Sequence, residues 1–222
     1  MGRLPRAEGR YVVPSFVERT AYGHKEMSPY NKLFEDRIVF LGAPVDDTAA
    51  NDVTAQLLAL EGMDPDRPIS LYINSPGGSL TAMMAVLDTM RYIRPQVETT
   101  CVGQAGAAAA VLLAAGAPGR RAALVSSRIL LHQPAVEVSR GPSADLEVQA
   151  REINRLWERM AEILGEATGR DPARVSEDIA RERYFTAAEA LEYGLVDHVL
   201  TTRGRPGAGA PAGPNVSAGR PG

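Results

Sequence analysis

"CVGQAGAAAAVLLAAGAPGRR", residues 101–121, decides the reading of the fold. The apolar run Val97 to Val102 predicts a strand, which meets Gly103. A helix of small residues follows, from about Gly106 to Ala115. Strand–turn–helix junctions with almost no side chains at the turn often hold a nucleophile at a helix N-terminus. Here no Ser, Thr or Cys stands at the turn. The question is why such a site would be built and left empty.

Working outward, short apolar runs alternate with helical patterns. "RIVFLG" (37–42) and "ISLYIN" (69–74) predict strands, and "RAALVSSRILLH" (121–132) is largely extended. Residues 49–63 predict a helix, with Val53, Leu57, Leu58 and Leu60 at helical spacing, and "TAMMAVLDTMRYI" (81–93) predicts another. Residues 143–169 form a long helical pattern, with apolar Leu146, Ile153, Leu156, Met160, Ile163 and Leu164 and Gly169 as C-cap. Thr186 caps a short helix, Glu189 completes its capping box, and "LVDHVL" is a last strand. Strand–helix alternation of this kind means an α/β fold with mainly parallel pairing.

A chain of 222 residues with 45% apolar content suits one domain with a real core. A net charge of −3 argues against nucleic acid as partner. One cysteine, Cys101, excludes an internal disulfide and fits a reducing compartment. Its apolar setting reads as a buried, inert thiol. The longest small-and-apolar run, 105–118, falls short of the about 20 residues that span a membrane. Arg3, Arg6 and Arg10 precede no apolar stretch of the secretory kind, so the chain reads as cytoplasmic. Residues 1–10 read as a leader or disordered segment. Half of the last twenty residues are Gly or Pro, which predicts a disordered tail from about 204. The folded part is expected over 31–203, preceded by a less regular arm from 11 to 30.

Three places could carry chemistry. "NSPGGS" (74–79) ends a strand and opens a helix, and its glycines can expose N–H groups that stabilise an anion. A tight strand–helix turn explains the same residues. His132 ends an apolar run before Pro134; a lone histidine is more often structural than a base, but if the chain carries a general base His132 is the best candidate. His24 lies in the polar arm and His198 in the last strand. An orienting carboxylate could be Glu177, Asp178 or Glu182, and spacing does not choose among them.

Eight segments in order, "YVVPSFVERTAYG", "NKLFEDRIVFLG", "ANDVTAQLLALE", "DPDRPISLYINSPGGS", "GQAGAAAAVLLAAG", "ILLHQP", "DLEVQAREI" and "TAAEALEYGLVD", resemble the Clp protease proteolytic subunit (ClpP) family over residues 11 to 203. The resemblance implies a crotonase-like (ClpP-type) α/β superhelix of strand–strand–helix units, with a long protruding handle helix over 143–169. It implies a serine endopeptidase without a cofactor, built as a tetradecamer of two heptameric rings and fed by a Clp-type AAA+ ATPase. The arm 11–30 resembles the axial gate loop, with a leader junction between Arg10 and Tyr11. The family pattern "GQAAS" falls on Gly103–Ala107, so its nucleophilic Ser falls on Ala107. Its His falls on His132 and its triad Asp on Glu182. Its oxyanion N–H groups fall on Gly78 and Ala108. Its unfoldase-docking pocket falls on Tyr72 and, where many relatives carry an aromatic residue, on Ser70. Arg181 falls at its ring interface, beside Ala180 in place of an acidic residue. The strand 135–138 has lost the glycines typical of the family's substrate strand.

An alanine has no lone pair with which to attack a carbonyl, so the resemblance implies a subunit that does not cut. Three readings follow. The chain is a degenerate subunit that assembles with an active paralogue; or it is an active peptidase carrying an engineered Ser→Ala change; or it is a crotonase-like acyl-CoA enzyme, whose fold also uses a paired N–H oxyanion hole. An engineered change explains Ala107 but not Glu182, Ala180 or the altered strand. The handle and the "HQP" count against the acyl-CoA reading.

Overall fold

The structure is a computed structural model that describes residues 15–20, 23–132 and 143–202. The predicted leader, the altered strand 135–138 and the tail lie outside the described residues, as does the side chain of Leu146.

The arm expected to be less regular contains a hairpin among its described residues. Strands β1 (Phe16–Thr20) and β2 (Gly23–Met27) pair antiparallel, with Phe16 opposite Met27, and helix α1 (Pro29–Glu35) follows. Ser28 caps α1 through its side chain and Pro29 opens it, a start signal that hydrophobic periodicity does not register. Lys32 on α1 reaches Glu18 on β1 at 3.0 Å and Glu35 at 3.3 Å, tying hairpin to helix.

The body is built from β3 (Ile38–Leu41), α2 (Asp47–Met63), β4 (Ile69–Ser75), α3 (Leu80–Tyr92), β5 (Val97–Gly106), α4 (Ala108–Ala114) and β6 (Arg121–Leu124). It continues with β7 (Arg128–Leu131), α5 (Ser143–Thr168), α6 (Pro172–Asp178), β8 (Arg183–Thr186), α7 (Ala187–Tyr193) and β9 (His198–Leu200). Strands β3-β4-β5-β6-β9 lie side by side, all parallel; β7 pairs parallel with β5, and β8 antiparallel with β7. On β4, Ile69, Leu71 and Ile73 alternate into the core while Ser70 and Tyr72 face the other way. The small-residue helix α4 is buried along its whole length, among the sheet, α3 and α5. Its alanines are what allow that close packing.

Two departures from the sequence reading position the site. Strand β5 does not stop at Val102 but runs on through Gly103, φ 85°, to Gly106. Ile73 pairs with Cys101 while Ser75 pairs with Ala105, so β5 carries a bulge between them. Before the bulge β5 pairs with β6; after it, with β7. The extended run 121–132 is accordingly two strands, broken at Val125–Ser127, where Ser127 N–H donates to the Leu124 carbonyl at 2.8 Å.

Helix α5 is packed into the body from Trp157 onward: Trp157 lies against the core and donates to the Ser176 hydroxyl at 3.0 Å, and Met160, Ala161, Ile163 and Leu164 are buried. Residues 147–152 are exposed, and Ile153 and Leu156 are half-buried. No helix among the described residues is long and apolar enough to cross a membrane.

Candidate active site and docking groove

The elbow is Ala107. It joins β5 to α4 with φ 41° and ψ −109°, a left-handed conformation that costs a residue with a Cβ on the order of 1–3 kcal/mol. The residue is held there: its N–H donates to the Leu130 carbonyl on β7 at 2.7 Å, and its carbonyl accepts from Ala110 and Val111. Strain of this kind persists where the surroundings over-determine the backbone. At Ala107 it presents a methyl group.

The turn after β4 closes on the elbow. Gly77 has φ 97°, and a Cβ built on it would collide with the Gly106 carbonyl; a Cβ built on Gly106 would collide with the Pro76 carbonyl. Turn and elbow therefore touch backbone to backbone. The pattern "GQAAS" has Ala where Gly106 stands, so the turn sits nearer the elbow than that Ala would permit. Gly78, φ 153°, forms a parallel bridge to Val45. The bridge bonds pass through the Gly77 carbonyl and the Ser79 N–H, so the Gly78 N–H points away from Val45. Ala108 is the first residue of α4, and its N–H has no acceptor within the helix.

His132 follows β7 directly and is half-buried. Since β5 and β7 run parallel with Gly106 opposite Leu130, Ala107 and His132 emerge at the same end of neighbouring strands. Leu131 pairs with Arg183 across β7 and β8; carried one residue further, that antiparallel register faces His132 with Glu182. Of the three acidic candidates, Glu182 is the one that this register, so extended, sets opposite the histidine. Glu182 is exposed and accepts from the Tyr184 hydroxyl at 3.2 Å. Asp178 instead binds Arg183 at 2.9 Å and the Tyr193 hydroxyl at 2.9 Å, and Glu177 pairs with Arg174 at 3.0 Å. Burial first, then the Asp178 hydrogen bond, pushes the Tyr193 hydroxyl up to about 12.

Other nucleophiles near the elbow are engaged in structure. Ser79 caps α3 by accepting from the Ala82 N–H. Ser127 is buried and donates to the Cys101 carbonyl at 2.9 Å. Burial pushes the Cys101 thiol up to about 11, which keeps it protonated and unreactive at neutral pH.

Tyr72 lines an apolar groove of about 500 Å³ with Leu33, Ile38, Phe40, Val102, Leu124 and Leu200. Ser70 shares the outward face of β4 but lies outside the groove's lining. Apart from Tyr72, these groove residues escape sequence reasoning. The available signal was "RIVFLG", apolar on both faces, which means that its outward side also meets apolar surface. Arg181 lies exposed between α6 and β8.

A family model described as Clp protease matches residues 21–203. The chain is 61% identical over 194 residues to the ATP-dependent Clp protease proteolytic subunit 1 of Corynebacterium glutamicum, covering 87% of this chain and 93% of that relative. It is 56% identical over 203 residues to the subunit 1 of Thermobifida fusca, covering 91% of each. It is 56% identical over 199 residues to the subunit 2 of Streptomyces coelicolor, covering 90% of this chain and 91% of that relative. With its parallel sheet, its glycine-rich turn closed on a strained elbow, and this match over most of its length, the chain belongs to the Clp protease family of proteolytic subunits.

Proposed function

We propose that this chain is a non-cleaving subunit of an ATP-dependent Clp proteolytic complex in the cytoplasm. One observation carries the reading: the strained elbow is intact and holds Ala107. Gly78 and Ala108 present N–H groups to a substrate carbonyl, His132 stands as base and Glu182 orients it, but the elbow residue Ala107 carries no hydroxyl for the base to deprotonate. In subtilisin, loss of the serine alone lowers turnover by about 10⁶. The chain therefore acts by assembling. It joins an active paralogue in a tetradecamer of two heptameric rings and changes how many sites cut. The long helix α5, with Ile153 and Leu156 half-buried beyond the packed body, supports contact with another subunit. The apolar groove at Tyr72 supports docking of a Clp-type AAA+ ATPase, with Ser70 at its margin. Arg181 serves the ring interface, and residues 11–30 the axial gate ahead of a folded body over 31–203.

The test is hydrolysis of a small fluorogenic peptide by the pure chain. The expected rate is that of the buffer blank. Hydrolysis that disappears on His132→Ala would overturn the reading. Ala107→Ser is expected to restore little, because the closed turn and the exposed Glu182 are not corrected by a hydroxyl; rates typical of the family would favour a simple Ser→Ala form of an active enzyme.

A further inference from the structure

The apolar groove has an unusual rim. Besides its aliphatic and aromatic walls, it is lined by Thr201 and Thr202, the last two described residues of the chain. The chain continues from that rim as Arg203–Gly222, "RGRPGAGAPAGPNVSAGRPG". We propose that this C-terminal segment lies in the groove of its own subunit, with the stretch "APAGPNV", residues 210–216, against Phe40 and Tyr72.

Three arguments favour this occupant. The first is chemistry: a segment with Pro211, Pro214 and Val216 is suited to an aromatic-lined apolar groove, because extended proline-rich chain loses little entropy on docking. The second is reach: about ten residues of Gly-rich chain span about 18 Å, so a segment starting on the rim covers the groove without strain. The third is concentration: a short flexible tether holds its ligand at about 1 mM. A contact with a dissociation constant of about 0.1 mM in free solution then fills the groove most of the time and weakens any competitor about tenfold. The consequence for an ATPase rests on the docking role proposed above: from this subunit's face, docking first has to displace the subunit's own tail.

The test replaces Tyr72 with photoreactive p-benzoylphenylalanine in the full chain. After irradiation, denaturing gel mobility and peptide mapping identify what is joined. The expected product is an intrachain link between position 72 and residues 206–216. A link to a second subunit, or none to the tail, would overturn the proposal. A second readout uses anilinonaphthalene sulfonate on the full chain and on a chain ending at Thr202. The shortened chain is expected to bind the dye about tenfold more tightly, and a synthetic peptide of residues 203–222 to reverse this. Equal binding by both chains contradicts the proposal. Neither readout depends on peptidase activity, so a failure here is separable from a failure of the non-cleaving reading.

Discussion

At the scale of single residues, Ala107 and Cys101 carry the account. Ala107 keeps a conformation that suits glycine and that only a reactive side chain would repay. Ala107→Gly is therefore expected to raise stability by about 1 kcal/mol, the relieved strain outweighing the glycine's entropy cost. Ala109→Gly, inside the fully buried α4, is expected to lower it by at least about 1 kcal/mol. Thermal unfolding of the two variants checks the contrast; a loss at Ala107→Gly as large as at Ala109→Gly would remove the strain argument. Cys101 has a folded pKa of about 11, above its ordinary value, because burial disfavours the thiolate. Its contribution to stability is full below the unfolded thiol's pKa and is lost as pH rises towards 11. Alkylation at pH 8 is expected only after unfolding, and rapid labelling of the native chain would contradict the burial. The empty elbow was legible in the sequence because the family pattern falls residue by residue on Gly103–Ala107 and ends on an alanine. Its strain was not, because nothing in "QAGAAA" states a backbone angle.

At the scale of elements, buried charges hold the strands in place. Arg37 on the approach to β3 is 5% exposed and donates to the carbonyls of Leu60, Asp64, Arg67 and Pro68 at 2.9–3.1 Å. It closes the C-terminal end of α2 without any carboxylate. Arg37→Met is expected to cost about 3 kcal/mol, since it leaves buried carbonyls unpaired; a shift under about 0.5 kcal/mol in chemical unfolding would refute that. Arg121 and Asp197 join the start of β6 to the approach to β9, with Arg121 also reaching the Ala114 and Ala167 carbonyls. Hydrogen bonds from the Arg121 side chain hold the Asp197 carboxyl below the usual carboxylate range. Its stabilisation is present above the unfolded carboxyl's pKa, about 3.9, and is lost as pH falls through the lower folded value. Asp197→Asn is thus expected to lower stability at neutral pH and to flatten its fall in acid. The core strands β3 and β4 and the first part of β5 were readable as short apolar runs, and the helices α2, α3 and α5 from helical spacing. The hairpin β1–β2 was not, because "FVERT" and "GHKEM" carry no apolar alternation. Strand β8 was not either, since its pairing with β7 is a long-range contact.

At the scale of the whole molecule, the strand order puts Ala107 after β5, His132 after β7 and Glu182 before β8 at one end of the sheet, and sets the apolar groove on the outward face of β3, β4, β5, β6 and β9. Spacing along the chain did not choose among Glu177, Asp178 and Glu182; the resemblance pointed to Glu182, and the β7–β8 register carried one residue further is in keeping with it. The groove draws on five strands and on α1, from distant stretches of sequence, so only Tyr72 among its walls was foreseen. What such a body can do without a nucleophile is to occupy a place in a ring. The most direct test is co-expression of this chain with an active Clp proteolytic subunit from the same cell, followed by native mass spectrometry of the purified particle. The expected product is a mixed double ring containing both chains, with peptidase activity that disappears when the active partner's serine is removed. Particles containing only one kind of chain, whatever the ratio of expression, would contradict it.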